Sequence, residues 1–252
     1  MSLSRRATTA LGIIRSLLIY YAIPGRAGRL RRFYAPFVQP GDVCFDVGAH
    51  VGNHTRAMRR LGARVIAVEP QPDLARLLRR WYGNDPAVSV VEAAVGAQAG
   101  EQALYVSARH PTVTTLSRDW IDSVGADRSF AGVEWRVAGA TPVTTLDALI
   151  AQFGEPAYCK IDVEGYEVEA LRGLSRPLQA VSFEFIPAAL DLALACIERL
   201  SQLGEYVYNW TVGEQMRLRE PGWLDGEAMA ARLRSLPPHH RSGDVVAQRV
   251  DG

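Results

Sequence analysis

Asp46, Glu69, Glu92, Asp162, Glu164 and Glu184 stand at or just past the ends of short apolar runs in this 252-residue chain. A carboxylate in such a place can accept hydrogen bonds from a pair of hydroxyls, hold an ammonium group, or take the proton of a reacting hydroxyl. Two glycines, Gly48 and Gly52, follow the first acid in "GDVCFDVGAHVGNHT" (41–55). Glycine gives a tight strand-to-helix connection its backbone freedom and lets a ligand lie against free N–H groups at a helix N-terminus. Many α/β proteins use such a turn for packing alone, so its meaning rests on the acids around it.

Glu69 is the most specific of these acids. A carboxylate ending the second strand of an open parallel sheet is placed to hold two ribose hydroxyls. Nicotinamide dinucleotides and S-adenosylmethionine both carry that ribose, and the glycine spacing separates them. A dinucleotide site wants G-x-G-x-x-G to seat a pyrophosphate. Here the spacing is G-x-x-x-G, with Ala49 at an intermediate small position. Asp46 and Asp162 suit the ammonium end of S-adenosylmethionine and would repel a pyrophosphate. The reading is therefore a methyltransferase. The alternatives are a protein that binds S-adenosylmethionine without catalysis, and an NAD-dependent oxidoreductase, which the missing middle glycine disfavours.

An alcohol that attacks a methyl sulfonium must shed a proton. The proton acceptors offered by the sequence are Glu184, Asp162 and His110. Glu184 ends the apolar run "VSFEFIP", where burial raises a carboxyl toward a useful base. Lys160 is read as its pairing partner. The competing reading makes Lys160, Asp162, Glu164 and Glu184 a structural ion network, and leaves His110 a solvated loop residue. Asp162, Glu164 and Glu184 could receive a divalent ion, but no ligand spacing demands one, so no metal is expected.

The elements that must position these groups follow from hydrophobic patterning. Runs at 43–47, 64–70, 88–96, 157–165 and 180–187 read as strands. Helices are read near 53–61, from Pro72 to near Gly83, at 143–154, in "YEVEALRGL" and at 189–204. Asn53 or Thr55 caps the first of them. Two strands, "YVYNWTV" and "DVVAQRV", close the chain and form an antiparallel edge. Alternation of strand and helix predicts an α/β fold with a mostly parallel sheet covered on both faces. Residues 101–140 break the rhythm and read as an insertion of short strands and loop, with His110, Trp120 or Trp135 expected to touch an acceptor. Residues 1–38 read as a basic helical segment ahead of one domain spanning 39–252. Ile13, Ile14, Leu17, Leu18 and Tyr21 are expected to form its apolar face, docked on the domain or its acceptor pocket rather than on acidic lipid.

Composition sets the outer bounds. Hydrophobic residues make up 48% and charged residues 22%, with a net charge of +1, which gives no global case for nucleic acid. No basic, aromatic-lined groove or N/D-P-P-Y motif is evident. Cys44, Cys159 and Cys196 show no C-x-x-C or zinc spacing, so they read as buried thiols in a reducing, cytoplasmic setting.

"FDVGAHVGNHT", "VIAVEPQPDL", "EAAVG", "TLDAL" and "KIDVEGYEVEALRGL" together resemble the FkbM family of S-adenosylmethionine-dependent methyltransferases, over about residues 30–190, and "GDVVA" near the end is similar too. The resemblance implies a Rossmann-like class I methyltransferase fold with a seven-stranded sheet. It also implies O-methylation of a sugar, polyketide, other secondary metabolite or glycan hydroxyl. By motif it places Asp46, Gly48, His50, Gly52 and Asn53 in the cofactor loop, with Glu69 on the ribose and Glu92-Ala93 beside the adenine. It places Asp162 at the methionine end or the substrate side. His50 stands where the family often has Asn or His.

Overall fold

The computed structural model describes residues 3–107, 113–125, 130, 132–237 and 239–250. Two helices open the chain, α1 (Leu3–Tyr21) and α2 (Arg26–Tyr34). Strand and helix then alternate through β1 (Val43–Val47), α3 (Asn53–Arg59), β2 (Arg64–Val68), α4 (Pro72–Tyr82) and β3 (Val88–Val91). The middle holds β4 (Ala94–Val95), β5 (Gly100–Val106), α5 (Arg118–Val124), β6 (Arg136–Thr144) and α6 (Leu146–Phe153). The last part runs through β7 (Tyr158–Ile161), α7 (Glu167–Arg172), β8 (Ala180–Phe185), α8 (Leu190–Leu203), β9 (Tyr206–Trp210), α9 (Gly226–Arg234) and β10 (Gly243–Arg249).

Seven strands form the main sheet in the order β3-β2-β1-β7-β8-β10-β9. The pairs from β3 to β8 are parallel, and β10 is antiparallel to both β8 and β9. Strand order reverses between β1 and β7, which opens a crevice beyond their carboxyl ends. The central strands are apolar on both faces because helices cover both. One face packs Phe45, Ile161, Phe183 and Val245 under α6, α7, α8 and α9. The other packs Cys44, Val65 and Tyr158 under Leu30, Phe33 and Tyr34 of α2 and Ala57 and Met58 of α3. So α2 is continuous with the core of the domain. All three cysteines are buried and free.

The run at 88–96 breaks at Glu92. Its first half joins the main sheet as β3, and its second half, β4, joins a second sheet in the order β4-β6-β5. That small sheet carries the insertion. Thr145 caps α6 by accepting from Ala148 N–H at 3.1 Å, so β6 feeds directly into the helix.

Helix α1 docks through a face shifted from the one its apolar periodicity suggests, keeping Ile13, Leu17 and Tyr21 but not Ile14 and Leu18. Gly12 and Ser16 are buried, with Ile13, Leu17, Tyr20 and Tyr21 half-buried. Ile14 and Leu18 are 51% and 61% exposed. Small residues four apart let the helix backbone lie close to its neighbours, and that choice turns Ile14 and Leu18 outward. No helix among the described residues is long and apolar enough to cross a membrane.

Candidate active site

A cleft whose empty space, part of it open to solvent, is about 810 Å³ lies over the carboxyl ends of β1, β2 and β7. Gly48, His50 and Asn53 of the β1–α3 connection form one side, with Glu69, Pro70 and Gln71 after β2. Ala93, Ala94, Val95 and Leu104 add an apolar wall, and Lys160, Asp162, Glu164 and Tyr166 close the β7 side. Besides Leu104, the inserted segment brings Thr114, Thr115 and Leu116 to the cleft.

Glu69 is 2% exposed and lines the cleft. Its two oxygens each accept a backbone N–H at 2.8 Å, one from His50 and one from Gln71. Each oxygen keeps a further acceptor site, so the carboxylate is fixed in place and still able to receive hydroxyl donors. Burial pushes its carboxyl up to about 7, against the pull of those two N–H groups. His50 holds a left-handed backbone, φ 49°. Burial lowers its imidazole to about 4, so the ring is neutral at physiological pH. Its Nε2 and the Asn53 Nδ2 are buried with no hydrogen-bond partner among the described residues, and both residues line the cleft. Those orphaned atoms are the clearest sign that the loop is shaped for a ligand.

Asp46 does not reach the cleft. It is fully buried, and its Oδ2 accepts from Thr55 N–H at 2.8 Å and from Thr55 Oγ1 at 2.5 Å. Its Oδ1 lies 3.9 Å from Lys160 Nζ. This acid ties the first turn of α3 to β1, which the short strand and the absence of any side-chain cap at Gly52 make necessary. Gly52 also faces away from the cleft. Its φ is 72°, and a Cβ there would stand 2.7 Å from Leu78 Cδ2 of α4. Gly48 does line the cleft, but its lack of a side chain serves the neighbouring strand connection, because a Cβ would meet the Asp162 carbonyl oxygen at 1.8 Å.

Lys160 pairs with Asp162 at 3.0 Å, and not with Glu184 as the sequence suggested. Register explains this. Lys160 on β7 stands opposite Asp46 on one side and Ser182 on the other, whereas Glu184 stands opposite Asp244 of β10. Burial alone would lower the Lys160 ammonium, but Asp162, Asp46 and Asp244 outweigh it and raise its pKa.

Asp162, Glu164 and Glu184 bring carboxylate oxygens within 4.8 Å of one another. Oxygens this close repel as anions and are relieved by a proton or a cation. Burial, with repulsion from Glu164 and Asp162, raises the Glu184 carboxyl well above its ordinary value. Burial and Asp162 do the same to Glu164. The connection carrying two of these acids is braced from below. Buried Glu167 accepts from Val163 N–H at 3.0 Å and Gly165 N–H at 3.2 Å. Trp120 packs onto Gly165 so closely that a Cβ there would stand 2.1 Å from the indole.

The inserted tryptophans are thus structural. Trp120 is 2% exposed and meets Phe130 and Trp135 edge-on. Trp135 donates its indole N–H to Val113 O at 2.8 Å. His110 lies outside the described residues. Of the adenine-side pair, Ala93 lines the cleft, while Glu92 turns to Arg79 at 2.5 Å. Sequence reasoning missed His54, Gln71, Tyr166 and Glu214, which also line the cleft. It also missed Tyr20 as a lining residue, although helical spacing on α1 pointed to that end of the helix. Tyr20 is stacked under the Arg26 guanidinium at 4.5 Å, and Arg26 pairs with Glu214 across the chain.

A profile described as the methyltransferase FkbM domain matches residues 46–201. The hexuronic acid methyltransferase AglP of Haloferax volcanii is 25% identical over 148 residues, which cover 58% of this chain and 55% of that protein. The chain therefore spans about half the length of this curated relative. Among solved structures, precorrin-6y C5,15-methyltransferase of Geobacter metallireducens is 14% identical, with a TM-score of 0.44 and coverage of 89% and 87%. The SAM-dependent O-methyltransferase of Thermotoga maritima is 13% identical, with a TM-score of 0.42 and coverage of 91% and 66%. The matched profile runs from Asp46 through both cleft-forming connections into the last turn of α8, more than half of the chain, and on that match this protein belongs to the FkbM methyltransferase family.

Proposed function

We propose that this protein transfers a methyl group from S-adenosylmethionine to a hydroxyl of a sugar, glycan or related metabolite. The observation that carries the reading is Glu69. It is a buried carboxylate fixed by two backbone N–H groups at the end of β2, beside the unpartnered polar atoms of His50 and Asn53, in a chain of this family. The donor set fits the cofactor. Glu69 would accept its ribose hydroxyls, the Ala93–Val95 wall would take its adenine, and Asp162 would face its ammonium. Bound there, S-adenosylmethionine supplies a methyl group on a sulfonium, the reactive part of the chemistry.

The protein's own part is alignment, exclusion of water and movement of one proton. The acceptor hydroxyl must lose its proton as it attacks. The three carboxyls of Asp162, Glu164 and Glu184 form the place to receive it, with Glu184 as the general base and the Lys160–Asp162 ion pair fixing the near side. A sugar carrying a carboxylate is the first acceptor to test, since the similar AglP is a hexuronic acid methyltransferase.

The test is direct. Calorimetry with S-adenosylhomocysteine should show one site on the purified protein, and labelled S-adenosylmethionine should pass its methyl to uronate-containing glycans but not to their hydroxyl-blocked forms. Tight binding of NAD with no binding of S-adenosylhomocysteine would overturn the reading.

A further inference from the structure

The outward face of α1 carries an apolar stripe that nothing covers among the described residues. Leu11, Ile14 and Leu18 recur at helical spacing and are 66%, 51% and 61% exposed. Ile19 and Ile23 continue the patch at 41% and 47%. Five large aliphatic side chains exposed on one helix and the turn after it are more than scattered surface leucines, and exposed apolar surface concentrated in this way marks a contact surface.

Charge says which kind of contact. Seven of the 28 cationic residues fall before Asp42, and none of the 27 acids does, so the other 211 residues carry 21 cations against 27 acids, a net of −6. The whole-chain charge of +1 therefore hides a strongly basic first segment on an acidic body. Arg31 and Arg32 of α2 are exposed and Arg29 is half-buried, and none of the three pairs with an acid among the described residues. An exposed aliphatic stripe on an acid-free, arginine-rich helical segment has the two attractions that bind an interfacial helix, apolar burial and pull toward anionic headgroups. A second copy of this chain fits less well. A two-fold contact through α1 would bring two acid-free arginine segments together, at a cost from like charge.

We propose that the Leu11–Ile14–Leu18 face of α1 docks this protein on an anionic membrane surface. Docking uses only the outward face. The inward one holds Ser16 buried, and Tyr21 donates its hydroxyl to Val51 O at 2.8 Å beside the cleft. Tyr20, one residue earlier, lines the cleft and meets His50 edge-on at 5.6 Å. A bilayer against the outer face would thus lie about one helix diameter, ~10–12 Å, from the cleft rim, within reach of an acceptor held at the surface.

The experiment is co-sedimentation of the full chain with vesicles of phosphatidylcholine alone and of phosphatidylcholine mixed with phosphatidylglycerol. The expected result is pelleting with the mixed vesicles, at least about tenfold weaker pelleting with the neutral ones, and weakening by salt. The double variant Ile14→Glu/Leu18→Glu should lose pelleting while its unfolding midpoint and S-adenosylhomocysteine affinity stay unchanged. Should that variant fail to fold, the dependence of the wild-type protein on lipid charge still decides. Equal pelleting with both vesicles, none with either, or undiminished pelleting of a folded double variant overturns the proposal. So does sedimentation analysis showing a dimer that the double variant dissociates.

Discussion

The carbonyl oxygen of Asp162 stands 1.8 Å from where a Cβ on Gly48 would be. Two connections of the site, one after β1 and one after β7, are therefore packed backbone to backbone. Asp162 N–H also donates to Val47 O at 3.0 Å, which locks them in register. Gly48→Ala must push the Asp162 main chain aside and adopt φ 78° with a side chain. We predict loss of S-adenosylhomocysteine binding together with a lowered unfolding midpoint, read by calorimetry and circular dichroism. A variant with wild-type affinity would show that the two connections are not coupled.

Glu69→Ala removes the proposed ribose acceptor and also the anchor for the His50 and Gln71 N–H groups. The expected loss of S-adenosylhomocysteine affinity is about 2–3 kcal/mol, the scale of charge-assisted hydrogen bonds. Calorimetry on Glu69→Gln separates charge from shape, since the amide oxygen can still accept one N–H. Unchanged affinity in both variants would remove Glu69 from the cofactor's partners.

Asp46 should report on stability rather than binding. Its side chain is fully buried against Thr55 and near Lys160. Asp46→Ala strips α3 of its tether and leaves the Lys160 ammonium, whose side chain is 4% exposed, one partner short. Breaking a buried charge pair costs about 3–5 kcal/mol. At roughly 2–4 °C per kcal/mol for a domain of this size, the melting midpoint should fall by about 10 °C. A midpoint unchanged by this substitution would contradict the structural role.

Glu184→Gln keeps the shape of the carboxyl and removes its capacity to take a proton. With an acceptor in hand, single-turnover methyl transfer at saturating cofactor should slow by about 10²–10⁴ while cofactor affinity is preserved. Near-wild-type rates in both Glu184→Gln and Asp162→Asn would leave alignment as the source of catalysis.

The ligand-free protein should lose stability as pH rises through neutrality. Glu69, Glu167 and Asp244 all have carboxyls raised by burial to about 7. A carboxyl whose folded pKa exceeds its unfolded one binds more protons when folded, so its contribution is full below the unfolded pKa and is lost as pH climbs through the folded one. His50, lowered to about 4, works the other way, but only below its unfolded value near 6.5. Between about pH 6.5 and 8 the carboxyls act unopposed, and the melting midpoint should drop by a few degrees, of order 2–4 °C for each kcal/mol. Glu69→Gln should make that slope shallower. A flat or rising midpoint over this window would count against buried, uncompensated carboxyls.

Alternation of apolar runs with capped helices determined, from the sequence alone, the parallel sheet, the antiparallel edge and the place of the cleft. These depend on local periodicity, and β1, α4, β8, α8 and the two last strands lie where that periodicity puts them. Glu69 was legible for the same reason, since a strand end in an open sheet faces the crevice whatever packs behind it. What the acids do once placed was not legible. Asp46 and Glu92 look as available as Glu69 in the sequence, but Thr55 and Lys160 claim one and Arg79 the other. Likewise Gly52 reads as a cofactor-loop glycine, and only the structure puts Leu78 against it. On α1, packing against the rest of the chain buries Gly12 and Ser16, half-buries Ile13 and Leu17, and leaves Ile14 and Leu18 exposed. In each case the deciding partner is distant in sequence or lies on another element, and periodicity along one element carries no information about what packs against it. Strand register and helix packing settle which neighbour a buried charge meets, and therefore which acids remain for chemistry.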